Sequence, residues 1–150
     1  MDVSDILKVM DNEKSNTLCL SKGGFEGWLQ SELWYYLNIY KKESTEREVR
    51  YPGKDTYCDL VCNSSVTHPG QWVEIKAYGI FRDGDESRFL DSVANDVMKI
   101  DSKPVGAIGS VYLIVPKAVS EKIERLIGER RWSFFKKTEG PYSSIYHGDI

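Results

Sequence analysis

The sequence predicts an α/β fold, a mixed sheet flanked by helices, and three observations predict it. Apolar residues recur at helical spacing in three separate stretches, and strand-length segments rich in β-branched and aromatic residues lie between them. Turn signals built from Pro, Gly and Asp mark the boundaries. Helices interleaved with strands in this way pack as layers around one sheet.

Taken in order, residues 1–20 form a polar lead, and Ser21 with the glycines after it starts a helix. That helix carries Phe25, Leu29, Leu33, Tyr36, Leu37 and Tyr40 on one arc. Three strands follow, at Glu46–Tyr51, Thr56–Asn63 and Gln71–Tyr78. The first two are joined by a tight hairpin at Pro52-Gly53-Lys54-Asp55, and the third is reached through the longer polar connection 63–70. Phe89, Val93, Val97 and Ile100 define a second helix that ends before Lys103-Pro104. Residues 109–115 (GSVYLIV) are a near-continuous apolar run, as expected of a strand covered on both faces. Helical spacing returns in AVSEKIERLIGER, and RRWSFFKK is expected as a late strand. The order is α-β-β-β-α-β-α with a β-like tail. No repeat or low-complexity linker interrupts it, so residues 1–150 are expected to form one domain.

Composition narrows the function classes. A hydrophobic fraction of 41% is enough for a core, yet the longest apolar run, Val111 to Val115, is far too short to span a bilayer. The first residues lack the apolar core of a secretory signal, so a cytoplasmic protein is expected. Cys19, Cys58 and Cys62 with only His68 and His147 do not make a zinc set, and three reduced thiols are expected. A net charge of −3 argues against non-specific coating of a polyanion but leaves room for a local basic stretch, residues 129–137 (ERRWSFFKK).

The chemistry concentrates in the second and third strands. Glu74 and Lys76 are two residues apart in a strand, so both leave the same face of the sheet. Their neighbours Trp72, Val73, Ile75, Ala77 and Tyr78 are those of a strand buried on both sides, where charges must be paired or bind an ion. Asp59 sits likewise inside Tyr57-Cys58-Asp59-Leu60-Val61 on the neighbouring strand. Two mid-strand carboxylates suit a hard divalent cation such as Mg²⁺ or Mn²⁺. A lysine beside them can orient or help deprotonate an attacking water and neutralise charge on a phosphate.

An Asp on one strand followed by Glu-x-Lys on the next, behind a helix that bears an acid, resembles the PD-(D/E)xK nuclease superfamily over residues 24–115. The resemblance implies a restriction-endonuclease-like core, α-β-β-β-α-β. It also implies Asp59, Glu74 and the Ile75 carbonyl as metal ligands, Lys76 as the catalytic lysine, and hydrolysis of nucleic acid, expected to be DNA. Cys58 stands where the motif name has proline. Many members add a glutamate from the first helix. Glu26 and Glu32 are the candidates, and at about 100° per residue Glu32 falls inside the apolar arc near Leu29 and Tyr36, which favours it as the fourth catalytic and metal-binding residue. A homodimer is expected by analogy alone. The rival is a catalytically silent nuclease fold that serves as a protein-binding or immunity module.

Other features carry less. Arg130, Arg131, Lys136 and Lys137 alternate with Trp132, Phe134 and Phe135, a mixture suited to phosphate contacts and base stacking, or to an edge strand with its bases outward. Asp83-Gly84-Asp85 lacks the ligand spacing of an EF-hand and reads as a solvated turn. Asp91, Asn95, Asp96 and Lys99 form the polar face of the second helix, from which Asp96 or Lys99 can brace the site. His68 reads as a loop residue and Tyr78 as core.

Overall fold

Segments that alternate or saturate with β-branched and aromatic side chains pair into a single six-stranded mixed sheet, in the order β1-β2-β3-β4-β6-β5. The computed structural model describes residues 1–10, 13–20, 25–82 and 84–150, apart from the side chains of Ser15, Asn16 and Phe81. Its elements are α1 (Val3–Met10), α2 (Glu13–Leu18), α3 (Glu26–Tyr35), β1 (Thr45–Arg50), β2 (Tyr57–Cys62), β3 (Gln71–Ala77), α4 (Glu86–Ile100), β4 (Ile108–Pro116), α5 (Lys117–Glu129), β5 (Lys136–Glu139) and β6 (Ser143–Asp149). The sheet is antiparallel except between β3 and β4, which run parallel because α4 carries the chain back across one face.

The period-2 alternation of the strands divides two cores. Leu60, Val73, Ile75, Tyr112 and Ile114 face α1 and α3, where they meet Ile6, Met10, Phe25, Leu29, Leu33 and Leu37. Val111, Leu113 and Val115 face α4 and α5, packing on Phe89, Leu90, Val93, Ile100 and Ile123. β4 is buried on both faces after its first residue, as its continuous apolar run predicts.

Three expectations are corrected here. The lead is helical rather than a plain polar leader: Val3, Ile6, Leu7 and Met10 stand at helical steps, and α1 lays Ile6 and Met10 into the first core. α3 does not run uniformly to Tyr40 but loosens into a π-helical turn over Tyr36–Tyr40. The segment RRWSFFKK is not one strand. Trp132, Phe134 and Phe135 gather into an aromatic cluster before β5 begins at Lys136, and the strand that pairs with β4 is the later β6. Phe134 closes over Gly148, where an added Cβ would meet its ring at 2.6 Å, so the glycine makes room for the cluster. The expected helix start at Ser21 and its glycines, and Asp83 of the acidic turn, lie outside the described residues.

Candidate active site at a fork between two strands

β2 and β3 pair only as far as Leu60 with Val73. Beyond that point the strands separate. Glu48, with φ at +52°, breaks the β1 pleat opposite Asp59, and the β1–β2 register passes over that pair. On β3 the amide of Tyr78 bonds to Ile114 of β4, so the even-numbered residues turn their backbone groups to β4 and the odd-numbered ones turn theirs to the fork. Two carboxylates close the amides that β2 has left. Asp59 Oδ2 accepts from Ile75 N at 2.7 Å, and Glu26 Oε2 accepts from Ala77 N at 3.0 Å. The carbonyl of Ile75 shares the direction of its amide and faces the same fork.

The side chains of Glu74 and Lys76 leave β3 on the opposite face from Val73, Ile75 and Ala77, beneath α4. Lys76 Nζ lies 3.0 Å from Glu26 Oε1 and 3.3 Å from Asp96 Oδ2. Lys99 Nζ, one turn further along α4, lies 2.8 Å from Asp96 Oδ1 and 3.0 Å from Glu74 Oε2. The remaining Glu74 oxygen, Oε1, accepts from the Tyr51 hydroxyl at 2.8 Å, and the Tyr51 ring is packed against Trp72. Four carboxyl groups are thus interleaved with two ammonium groups.

Burial and like charge set the electrostatics. Glu74 is completely buried, and its carboxyl is pushed up to about 8, first by desolvation and then by the charges of Asp59 and Asp96. Asp59 is pushed up to about 6, again mainly by burial, with its bond from Ile75 and the charge of Lys76 working the other way. Burial opposes the charge of Lys76, but Glu26 and Asp96 outweigh it, so the ammonium is held more firmly than an exposed lysine. Asp96 Oδ2 is buried and receives no well-directed hydrogen bond, only the Lys76 charge across 3.3 Å.

Sequence reasoning placed Asp59, Glu74, Ile75 and Lys76 in this site, and the structure gathers them there. It does not gather Glu32. That side chain is 41% exposed on the solvent side of α3, with Lys14 at 4.0 Å, whereas Glu26 occupies the position expected of the helix acid. The buried arc of α3 is set by Leu29, Gln30, Leu33 and Leu37, and at about 100° per residue Glu26 falls inside it and Glu32 outside, because Tyr36 is only partly buried and does not mark the arc. The fork lies level with the first turn of α3, where Glu26 sits. Tyr51 was missed altogether, since nothing in Glu46–Tyr51 marks its hydroxyl as reaching the next-but-one strand.

The basic tail does not converge on the site. Arg130 bonds to Ser87 and pairs with Asp91 at 2.7 Å, and Lys137 is held by Glu124 and Glu139, both at 2.7 Å. Lys136 and Lys137 lie on β5, the outer strand, with β4 and β6 between it and β3, and Arg131 is exposed in the turn before it. His68 accepts from the amide of Gly70 within its own loop.

Among the described residues, no three His, Cys, Asp or Glu side chains stand already assembled around one cation position. The carboxylates are spaced by the lysines. Their excess over the ammonium groups, and the unsatisfied Asp96 oxygen, still suit a cation, so the residues fit a divalent metal. No helix among the described residues is long and apolar enough to cross a membrane. Comparison with protein families, with curated proteins and with solved structures gives no match to this chain.

Proposed function

We propose that the chain is a metal-dependent nuclease of the PD-(D/E)xK type, with a restriction-endonuclease-like core in residues 24–115 and DNA as the substrate. The observation that carries this reading is the fork. Mid-strand Asp59 and Glu74, Lys76 on the face of Glu74, and Glu26 from the preceding helix meet at one place on a mixed sheet built in the order α3-β1-β2-β3-α4-β4.

Asp59, Glu74 and the Ile75 carbonyl would hold Mg²⁺ or Mn²⁺. Such an ion supplies Lewis-acid polarisation of a phosphate oxygen and acidifies a water. Lys76 retains its proton because Glu26 and Asp96 flank it, so it serves as a fixed cationic donor. It orients the attacking water and neutralises charge that develops on the phosphoryl oxygens. Glu26 anchors both the Lys76 ammonium and the Ala77 amide, which fixes the lysine relative to the strand. Water attacks phosphorus and gives up one proton to solvent, the P–O bond to the leaving nucleoside breaks, and the leaving oxygen takes a proton from solvent.

The test is cleavage of supercoiled plasmid, linear duplex, single-stranded DNA and RNA by the purified chain in Mg²⁺, Mn²⁺ or EDTA. Cleavage of DNA that EDTA abolishes supports the reading. A folded protein that cleaves none of these substrates with either metal overturns it in favour of the silent binding module.

A further inference from the structure

Beyond the fork, a cleft of about 430 Å³ opens between the turn that follows β3 and the first half of α4, lined by Arg82, Asp85, Arg88, Phe89 and Ser92. We propose that this cleft binds a backbone phosphate of the same nucleic-acid strand whose scissile bond lies at the Glu74–Lys76 cluster. The proposal rests on the nuclease reading and adds to it the place where the strand is anchored.

Position is the first argument. Arg88, Ser92 and Asp96 follow one another at four-residue steps and Lys99 three residues later, so the cleft and the cluster share one side of α4. At about 1.5 Å per residue, Ser92 lies roughly 6 Å and Arg88 roughly 12 Å along the helix from Asp96. For a duplex lying with its axis along α4, phosphates of one strand advance about 3.4 Å per nucleotide, which places the cleft about two to four nucleotides from the scissile position. The other wall is fixed to the site as well. Only five residues separate Lys76 from Arg82, and the Tyr78 hydroxyl donates to the Arg82 carbonyl, which ties the turn to the end of β3.

Charge is the second argument. The fork presents more carboxyl than ammonium groups, and the chain carries a net charge of −3, so a phosphodiester needs a cationic hold beside the site. The basic residues of 130–137 do not reach the fork. Among the described residues, the cleft sets the guanidinium groups of Arg82 and Arg88 and the Ser92 hydroxyl against the carboxylate of Asp85. Guanidinium groups bind phosphate oxygens in pairs, and a cleft of this size admits one phosphate with its sugar.

The experiment compares the full chain with its Arg82→Ala/Arg88→Ala variant and with single Arg88→Lys, on a labelled oligonucleotide duplex carrying one cleavage site. For the double variant, KM should rise about tenfold with kcat within about twofold, and the slope of log affinity against log salt should become shallower by about two. Arg88→Lys should recover part of the loss. A scan of single methylphosphonates, each removing one phosphate charge, should weaken wild-type binding at one position about two to four nucleotides from the cut and leave the double variant indifferent there. A wild type that cleaves while the double variant keeps its KM and salt slope, or a scan that affects both proteins alike, overturns the phosphate cleft and leaves the nuclease reading standing. A wild type that neither binds nor cleaves nucleic acid overturns both.

Discussion

Glu74 has both of its oxygens engaged, Oε1 by the Tyr51 hydroxyl and Oε2 by Lys99, and is itself fully buried, while Lys76, Lys99 and Glu26 around it stay partly open to solvent. Such a carboxylate cannot rotate to relieve the repulsion of Asp59 and Asp96, and its position is fixed by its partners. Tyr51→Phe keeps the ring against Trp72 and removes only the donor. It should cost about 1–3 kcal/mol of stability, because Glu74 Oε1 is left buried without a hydrogen bond. It should also slow cleavage about tenfold or more through a carboxylate that is no longer held. Thermal melts and initial rates measured on the same preparation check both effects. A variant with unchanged rate and unchanged melting would show that the hydroxyl positions nothing.

At the scale of elements, α3 and α4 deliver charge to the sheet from their ends and faces. α3 contributes Glu26 from its first turn, so Glu26→Gln should lower cleavage by about 10- to 100-fold, while Glu32→Gln should leave it within about twofold. Parallel rate measurements on the two variants decide between the acids. α4 is joined to α5 by the pair of Glu86 and Lys122 at 2.8 Å, far from the fork. Burial opposes the Glu86 charge, but Lys122 and the amides of Glu86 and Gly84 outweigh it and hold the carboxyl down at about 2. A depressed carboxyl binds fewer protons folded than unfolded, so its contribution is complete above the unfolded value near 4.5 and is lost as pH falls toward 2. Glu86→Gln should therefore melt lower than wild type at pH 7, with the gap closing between pH 4.5 and 2. A gap that stays constant with pH would show that the pair does not titrate in this way.

Much of these elements was legible in the sequence. β2, β3 and β4 announce themselves by composition, and Glu-x-Lys within an apolar strand announces charges that need partners. What was not legible depends on long-range geometry. Counting Tyr36 in the apolar arc put Glu32 on it, but Tyr36 is only partly buried and the arc that packs holds Glu26 instead. The role of Tyr51 depends on its hydroxyl reaching past β2, whereas Asp96 and Lys99, read from the sequence as able to brace the site, do so from α4. In the tail, three aromatics at near-alternate positions imitate a strand, and only their mutual packing over Gly148 turns them into a knot between elements.

Over the whole molecule, the sheet divides by face and by end. One face is apolar under α1 and α3. The other holds the carboxyl-and-lysine cluster under α4, where β2 and β3 part. The rest of the sheet, β4, β6 and β5, covers the core and holds Lys137 on Glu124 and Glu139. The central claim is that this fork hydrolyses phosphodiesters with Lys76 as the donor. The measurement that tests it most directly is the single-turnover rate of plasmid cleavage in Mg²⁺ by wild type and by Lys76→Ala, with Mn²⁺ binding followed calorimetrically on both. The variant should lose about a hundredfold or more in rate while still binding the metal. Wild-type rates in Lys76→Ala would contradict it.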